Sequence, residues 1–195
     1  MSRVIANAYR HTAASADAIT LDSSGNVTFP ANATCSGTAT GFGKFASYAI
    51  IGDEKSAGTD GGGFTSGAWR TRDLNAELSD PDGIVSISSN QFTLAAGSYL
   101  VVASAPALGV NNHKLKIYNI TDSADVQIGT TEYAHASDYS TKRSFVSSRF
   151  TISGSKVFEI QHRCDVTKTT DGFGQPANGY ASESIYTIVE IYKES

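Results

Sequence analysis

The chain has 195 residues, a mass of 20.5 kDa and a formal charge of −4 from 15 basic and 19 acidic side chains. That length suits one sizeable domain, or one domain plus a short appendage, and 40% hydrophobic residues exclude global disorder. No apolar run reaches the roughly 18 residues of a membrane-spanning helix, and a pI near 5.5 argues against a nucleic-acid-binding face.

Serine, threonine and glycine number 25, 19 and 18, which favours strands and turns over helices. Met1-Ser2-Arg3-Val4 is followed by no apolar stretch, so no secretory signal is expected. A reducing cytosol would then leave Cys35 and Cys164 as free thiols behaving as small hydrophobes. His162 and Cys164 are two apart on an expected strand, hence on one face, as a buried or interface pair.

At the front, Thr12–Ile19 can make a turn or two of helix at most. Asp22-Ser23-Ser24-Gly25-Asn26 reads as a turn between Ala18–Leu21 and Val27–Phe29, and a further short run lies near Ala33–Cys35. Strands this short carry too few large apolar groups for a core of their own. They become stable if several chains wind about a shared axis. A boundary near Gly43 separates residues 1–44 from residues 45–195.

Beyond it, strands are expected at Ser47–Gly52, Ala68–Asn75, Gln91–Leu94, Gly97–Ala105, Lys114–Ile120, Val126–Glu132, Arg143–Ile152, Lys156–Cys164 and Ser184–Tyr192. Ser79-Asp80-Pro81-Asp82-Gly83 has the chemistry of a tight turn. Ala95-Ala96-Gly97 and Ser153-Gly154-Ser155 are short enough to close hairpins. Gly58–Gly67 reads as a long loop or strand crossing. It lacks the strand-loop-helix context and following Gly-Lys-Ser/Thr of a phosphate loop.

Two strands are apolar on both faces. Tyr99, Val101 and Ala103 alternate with Leu100 and Val102, and Ile185–Tyr192 does the same. A sandwich strand normally hides one face, so a partner subunit or a covering loop is expected. The expected interface residues are Tyr99, Val101, Tyr186, Ile188 and Tyr192.

No catalytic constellation stands out. No serine sits in a Gly-x-Ser-x-Gly elbow. The carboxylate pairs Asp53/Glu54, Asp80/Asp82 and Asp122/Asp125 lie in turn-like contexts, where such side chains usually cap backbone amides. Asp80-Pro81-Asp82-Gly83 lacks the spacing and distal glutamate of a calcium loop. Near a three-fold axis one histidine would supply three ligands. His113, His135 and His162 are each expected at the surface or an interface instead, and no metal or cofactor is expected.

Two segments have the character of binding loops. One carries Tyr133, His135, Asp138 and Tyr139. The other carries Phe173, Asn178 and Tyr180. Flat aromatic rings beside directional hydrogen-bonding groups suit saccharides. Aromatics that fold back onto the core are the alternative.

The segment Gln91-Phe92-Thr93-Leu94-Ala95-Ala96-Gly97-Ser98-Tyr99-Leu100-Val101-Val102 resembles the F-T-x-P-x-x-G-x-Y-x-F core of the C1q/TNF-like jelly roll, with Leu100 and Val102 at its aromatic positions. Trp69-Arg70-Thr71-Arg72-Asp73-Leu74-Asn75 resembles that family's early strand ending in Asn, and Ser184–Tyr192 its closing strand. The resemblance spans about residues 45–195. Arg10-His11-Thr12 with Ala18–Phe29 resembles the start of tailed-phage fibre proteins, some of which carry a C1q-like tip.

Together these resemblances imply an all-β, antiparallel jelly-roll sandwich preceded by a short intertwined β shaft, as a homotrimer. Residues 1–44 would dock to other virion proteins, and the head would contact a host-surface glycan or protein. The implied location is the virion, after synthesis in the host cytoplasm. No enzymatic activity, nucleic acid or membrane insertion is expected. Alternatives are a capsid-decoration or head-fibre protein, and a bacterial C1q-like lectin. A glycan hydrolase ranks below both.

Overall fold

Alternation along the chain sets the strands. In the stretch from Gly97 to Leu108, Tyr99, Val101, Ala103 and Ala105 are buried, while Leu100, Val102 and Ser104 between them are half-buried. That period of two is a sheet strand with unequal faces. The structure, a computed structural model, describes residues 8–9, 19–24, 26–29, 45–177, 179 and 182–194. No helix occurs among them.

The strands are β1 Ala8–Tyr9, β2 Ile19–Leu21, β3 Val27–Thr28, β4 Phe45–Lys55, β5 Arg70–Thr71, β6 Ala76–Ser79, β7 Val85–Ser88, β8 Gln91–Leu94, β9 Gly97–Leu108, β10 Asn111–Asn119, β11 Ala124–Ala134, β12 Thr141–Ile152, β13 Lys156–Cys164 and β14 Ser184–Glu194. Two compact units divide them, Met1–Phe42 and Gly43–Ser195.

The first unit holds a small antiparallel sheet in the order β1-β2-β3. The turn after β2 is closed by Asp22, whose Oδ1 accepts from Ser24 N at 2.8 Å and Asn26 N at 2.9 Å. Val27 and Phe29 are exposed. The run near Ala33–Cys35 lies outside the described residues, as does Cys35 itself.

The second unit is a sandwich of two antiparallel sheets. One runs β11-β10-β13-β8-β7, with β5 added alongside β13; the other runs β12-β9-β14-β4-β6. The longest ladder joins β9 to β12 from Gly97↔Ile152 to Leu108↔Thr141. Between the sheets lies the core, which includes Ile51, Phe92, Leu94, Tyr99, Leu115, Ile117, Phe158, Ile160 and Val189. Phe92 stacks on Phe158 at 5.5 Å. A satellite cluster of Phe64, Ala107, Val110, Ala134, Cys164 and Phe173 closes one end.

Several expectations change here. Ala95-Ala96 and Ser153–Ser155 do not close hairpins; each carries the chain from one sheet to the other. A short connection fixes only that two strand ends are near, and an arch between sheets is as short as a hairpin. The expected strand over Ala68–Asn75 shrinks to Arg70–Thr71, and Ala76–Ser79 pairs separately with β4. β7 was not among the expected strands. It forms a two-residue hairpin with β8 through Ser89 and Asn90, both at positive φ (54° and 64°), as that turn requires. The turn before β7 is as expected: Asp80 accepts from Ile84 N and Val85 N at 2.9 and 3.0 Å, and Gly83 has φ 63°.

Candidate functional site

The sheet β12-β9-β14-β4-β6 has an outer face on which, among the described residues, apolar side chains remain exposed or half-buried. Register places Leu100 beside Tyr192 and Tyr192 beside Tyr48 in one row. A second row holds Val102, Glu190 and Ile50, and a third Phe145, Ser104 and Ile188. Tyr48 and Phe145 are exposed, and the other apolar members are half-buried.

This settles which faces of the doubly apolar strands point where. Ile188 and Tyr192 are on the outer face, as an interface would need. Tyr99 and Val101 are not: both are in the core with no exposure. The pleat turns Leu100 and Val102 outward in their place. Tyr186 is also buried. β14 shifts register between Ile185 and Ile188, and this irregularity turns both Tyr186 and Thr187 inward. Tyr186 Oη donates to Thr59 O at 2.7 Å.

At one end of the sandwich, the end of β11 and the loop after it gather four of the expected ligand residues. Its base is fixed by Ala136 N donating to Asn111 Oδ1 at 3.0 Å and Gly109 N donating to Ser140 O at 3.1 Å. Tyr133 is 49% and Tyr139 66% exposed. The rings of Tyr133 and His135 meet edge to face at 5.8 Å. Ser137 N donates to His135 Nδ1 at 3.2 Å, and Asp138 Oδ1 lies 3.3 Å from the same nitrogen. Lys168 Nζ lies 4.2 Å from the centre of the Tyr139 ring, a contact between loops far apart in sequence. Exposed aromatic rings, an imidazole, a carboxylate and an ammonium thus share one surface.

Phe173 belongs to the opposite case. It is buried, 4.6 Å from Phe64 ring to ring, with the Arg72 guanidinium 3.9 Å over it. Its expected role as a ligand contact is corrected: the ring folds back onto the satellite core. Asn178 and Tyr180 lie outside the described residues.

Beneath this end is a buried polar cluster. Arg72 has no exposed surface; it donates from Nε to Thr187 Oγ1 (3.0 Å), from Nη2 to Phe173 O (3.0 Å) and from Nη1 to Pro106 O (3.4 Å). Burial lowers its pKa to about 9, with Asp53 and Asp73 pulling the other way. His113 Nδ1 and His162 Nε2 are 2.9 Å apart. His113 Nε2 and His162 Nδ1 find no partner among the described residues. Burial lowers His113 to about 4 and His162 well below its ordinary value. Both histidines are core residues: this corrects the surface or interface position expected of His113, while His162 and Cys164 are both buried, one of the two positions expected for that pair. Cys164 is buried beside them as a free thiol whose pKa burial raises to about 11.

The carboxylate pairs separate in the fold. Asp53 is buried and Glu54 exposed. Asp122 takes Lys156 and Asp125 takes Lys116, each at 2.5 Å. Sequence reading missed Arg72, Thr187 and Lys168. Arg72 lies between Thr71 and Asp73 in a polar stretch that gives no sign of burial, and only the fold brings Thr187 to it.

No family model matches the chain. No curated protein sequence matches it either. Among solved structures, the chain is similar to Eiger TNF from S. frugiperda, at 9% identity and TM-score 0.51, over 76% of this chain and 92% of that one. It is similar also to the globular domain of zebrafish complement 1qA protein (14%, TM-score 0.45, 75% and 96%). PRD1 vertex protein P5 is a third (16%, TM-score 0.44, 78% and 100%). Identities this low speak to fold alone, and the Eiger superposition together with the two-sheet topology shows it: residues 45–194 form a C1q/TNF-like jelly roll.

Proposed function

We propose that the chain is a structural protein of a phage virion, a trimeric tail fibre or similar appendage whose head contacts the host surface. The observation that supports this best is the apolar outer face of β12-β9-β14-β4-β6. Leu100, Val102, Ile188, Tyr48 and Tyr192 keep apolar area accessible among the described residues. At about 25 cal/mol per Å², covering it with copies of the same sheet stabilises a closed oligomer. Residues 1–44 supply docking and shaft, a reading that rests on the resemblance of Arg10–Thr12 and Ala18–Phe29 to fibre N-termini. The Tyr133–Tyr139 end is the surface offered to a host glycan or protein.

Light scattering at micromolar concentration tests the assembly. Three times the 20.5 kDa chain mass is expected, and a clean monomer overturns it. Deleting residues 1–44 separates a fibre, whose assembly weakens, from a free-standing lectin, whose oligomer is unchanged. Gold-labelled antibody on virions places the chain on tail, baseplate or capsid; unlabelled particles would refute the virion role. Tyr139→Ala, with the trimer intact, is expected to lower adsorption to host cells.

A further inference from the structure

A groove of about 430 Å³ lies against the other sheet, on β10, β11 and β13. Its volume is in the range that takes a small ligand, about 300–1,000 Å³. Lys114 of β10 pairs in register with Thr131 of β11 on one side and Arg163 of β13 on the other. The three side chains therefore form one row on the outward face. Neither Lys114 nor Arg163 meets a carboxylate among the described residues. Two like charges directly opposite on neighbouring strands are destabilising, and the sheet keeps them side by side.

The nearby acids are already engaged. Asp165 accepts from Asn112 Nδ2 at 2.7 Å, and Asp125 holds Lys116 at 2.5 Å. The chain's single tryptophan, Trp69, lines the same groove half-buried instead of entering the core. Lys116 Nζ pins it from 4.5 Å.

We propose that this groove is a binding subsite for a carboxylated saccharide, a sugar acid of the uronic or sialic type. The Arg163 fork and the Lys114 ammonium receive the carboxylate, which an arginine holds in a bidentate geometry. The indole of Trp69 offers a flat apolar surface to the C–H face of the ring. Thr131 Oγ1 and the Asn112–Asp165 pair are placed for hydroxyls. A neutral sugar would leave both cations unpaired, so the charge selects the acid. Tyr133 stands beside Asn112 in the next row, between the groove and the exposed end loop. The inference rests on the surface-attachment reading for the source of the saccharide, not for the site.

As the single tryptophan, Trp69 reports on the groove by its own fluorescence. The full-length protein is titrated with trigalacturonate, with its methyl ester, with sialyllactose and with sodium sulfate. Saturable change with one of the two acids is expected, at least tenfold weaker for the neutral ester and weakened by salt. Lys114→Gln and Arg163→Gln are each expected to weaken it several-fold, with circular dichroism and oligomer mass unchanged. Response to neither acid, equal response to acid and ester, sulfate as effective as the sugar, or native-like binding by the double variant would each overturn the proposal. Adsorption of phage carrying the double variant separates the two readings. Sugar binding lost with adsorption kept upholds the subsite and denies it a part in attachment. Adsorption by phage carrying the unaltered protein, when that protein responds to neither acid, denies the subsite and leaves attachment standing.

Discussion

Arg72 is the largest of the fully buried side chains, and its charge has three acceptors and one aromatic face around it. Asp53 is buried close by. Desolvation raises its pKa, and Lys55 Nζ opposes this from 3.1 Å. Removing one member of such a buried set strands the others, at roughly 3–5 kcal/mol. Arg72→Ala is therefore expected to lower the unfolding free energy measured by urea denaturation by that much, and Arg72→Met by distinctly less, because the methionine refills the volume. His113 and His162 give the fold an acid limit. Both are held neutral by burial, and the charged groups facing them are Arg72, which disfavours protonation, and Glu132, which favours it at His113. Their folded pKa values lie below the ordinary value of about 6.5. Stability is then complete above pH 6.5 and falls as the pH drops below it, because the unfolded chain binds the protons first. For His113, with its folded value at about 4, the loss by pH 4 is on the order of 3 kcal/mol. Asp53, with its raised pKa, acts in the opposite sense at lower pH. Nuclear magnetic resonance should show neither imidazole titrating between pH 8 and 5 in the folded protein. An inflection near 6.5 at either ring would refute this.

Among the elements, strand parity was legible and strand partnership was not. The pattern of Gly97–Leu108 announces two unequal faces, yet both contain apolar residues, and only pairing with β12 and β14 shows that Tyr99 and Val101 face inward. The inward turn of Tyr186 depends on the irregularity in β14, which no periodicity reveals. The loop after β11 could be read from composition because its polar and aromatic residues are contiguous. The groove could not: Trp69, Lys114 and Arg163 are far apart in sequence, and register alone assembles them. That register makes a prediction of its own. Lys114→Gln removes a like-charge cross-strand contact and should raise stability by about 0.2–1 kcal/mol, read as a higher melting temperature. A lower one would mean that Lys114 has a stabilising partner.

At the scale of the whole molecule, the outer face of β12-β9-β14-β4-β6 is where the oligomer would form. Val102 and Ile188 are near its centre, half-buried in a single chain. Val102→Lys or Ile188→Lys is expected to yield monomers by light scattering, with the β signature of circular dichroism retained. A lysine in the buried interface would be an unpaired charge, whereas in a free sheet face it would be solvated. If the mass does not change with either variant, the face is not the interface.

By itself the sequence determined the all-β class, most of the strands, the capped turn at Asp80 and the candidate loop at Tyr133–Tyr139. These depend on neighbours within a few residues, through alternation and turn chemistry. Tertiary structure decided the rest. It set which short connections arch between sheets, which apolar face is core, and that Phe173, His113 and His162 are interior. It also set two unpaired cations beside one indole. Each of those depends on a partner dozens of residues away, and burial and electrostatics act through space rather than along the chain.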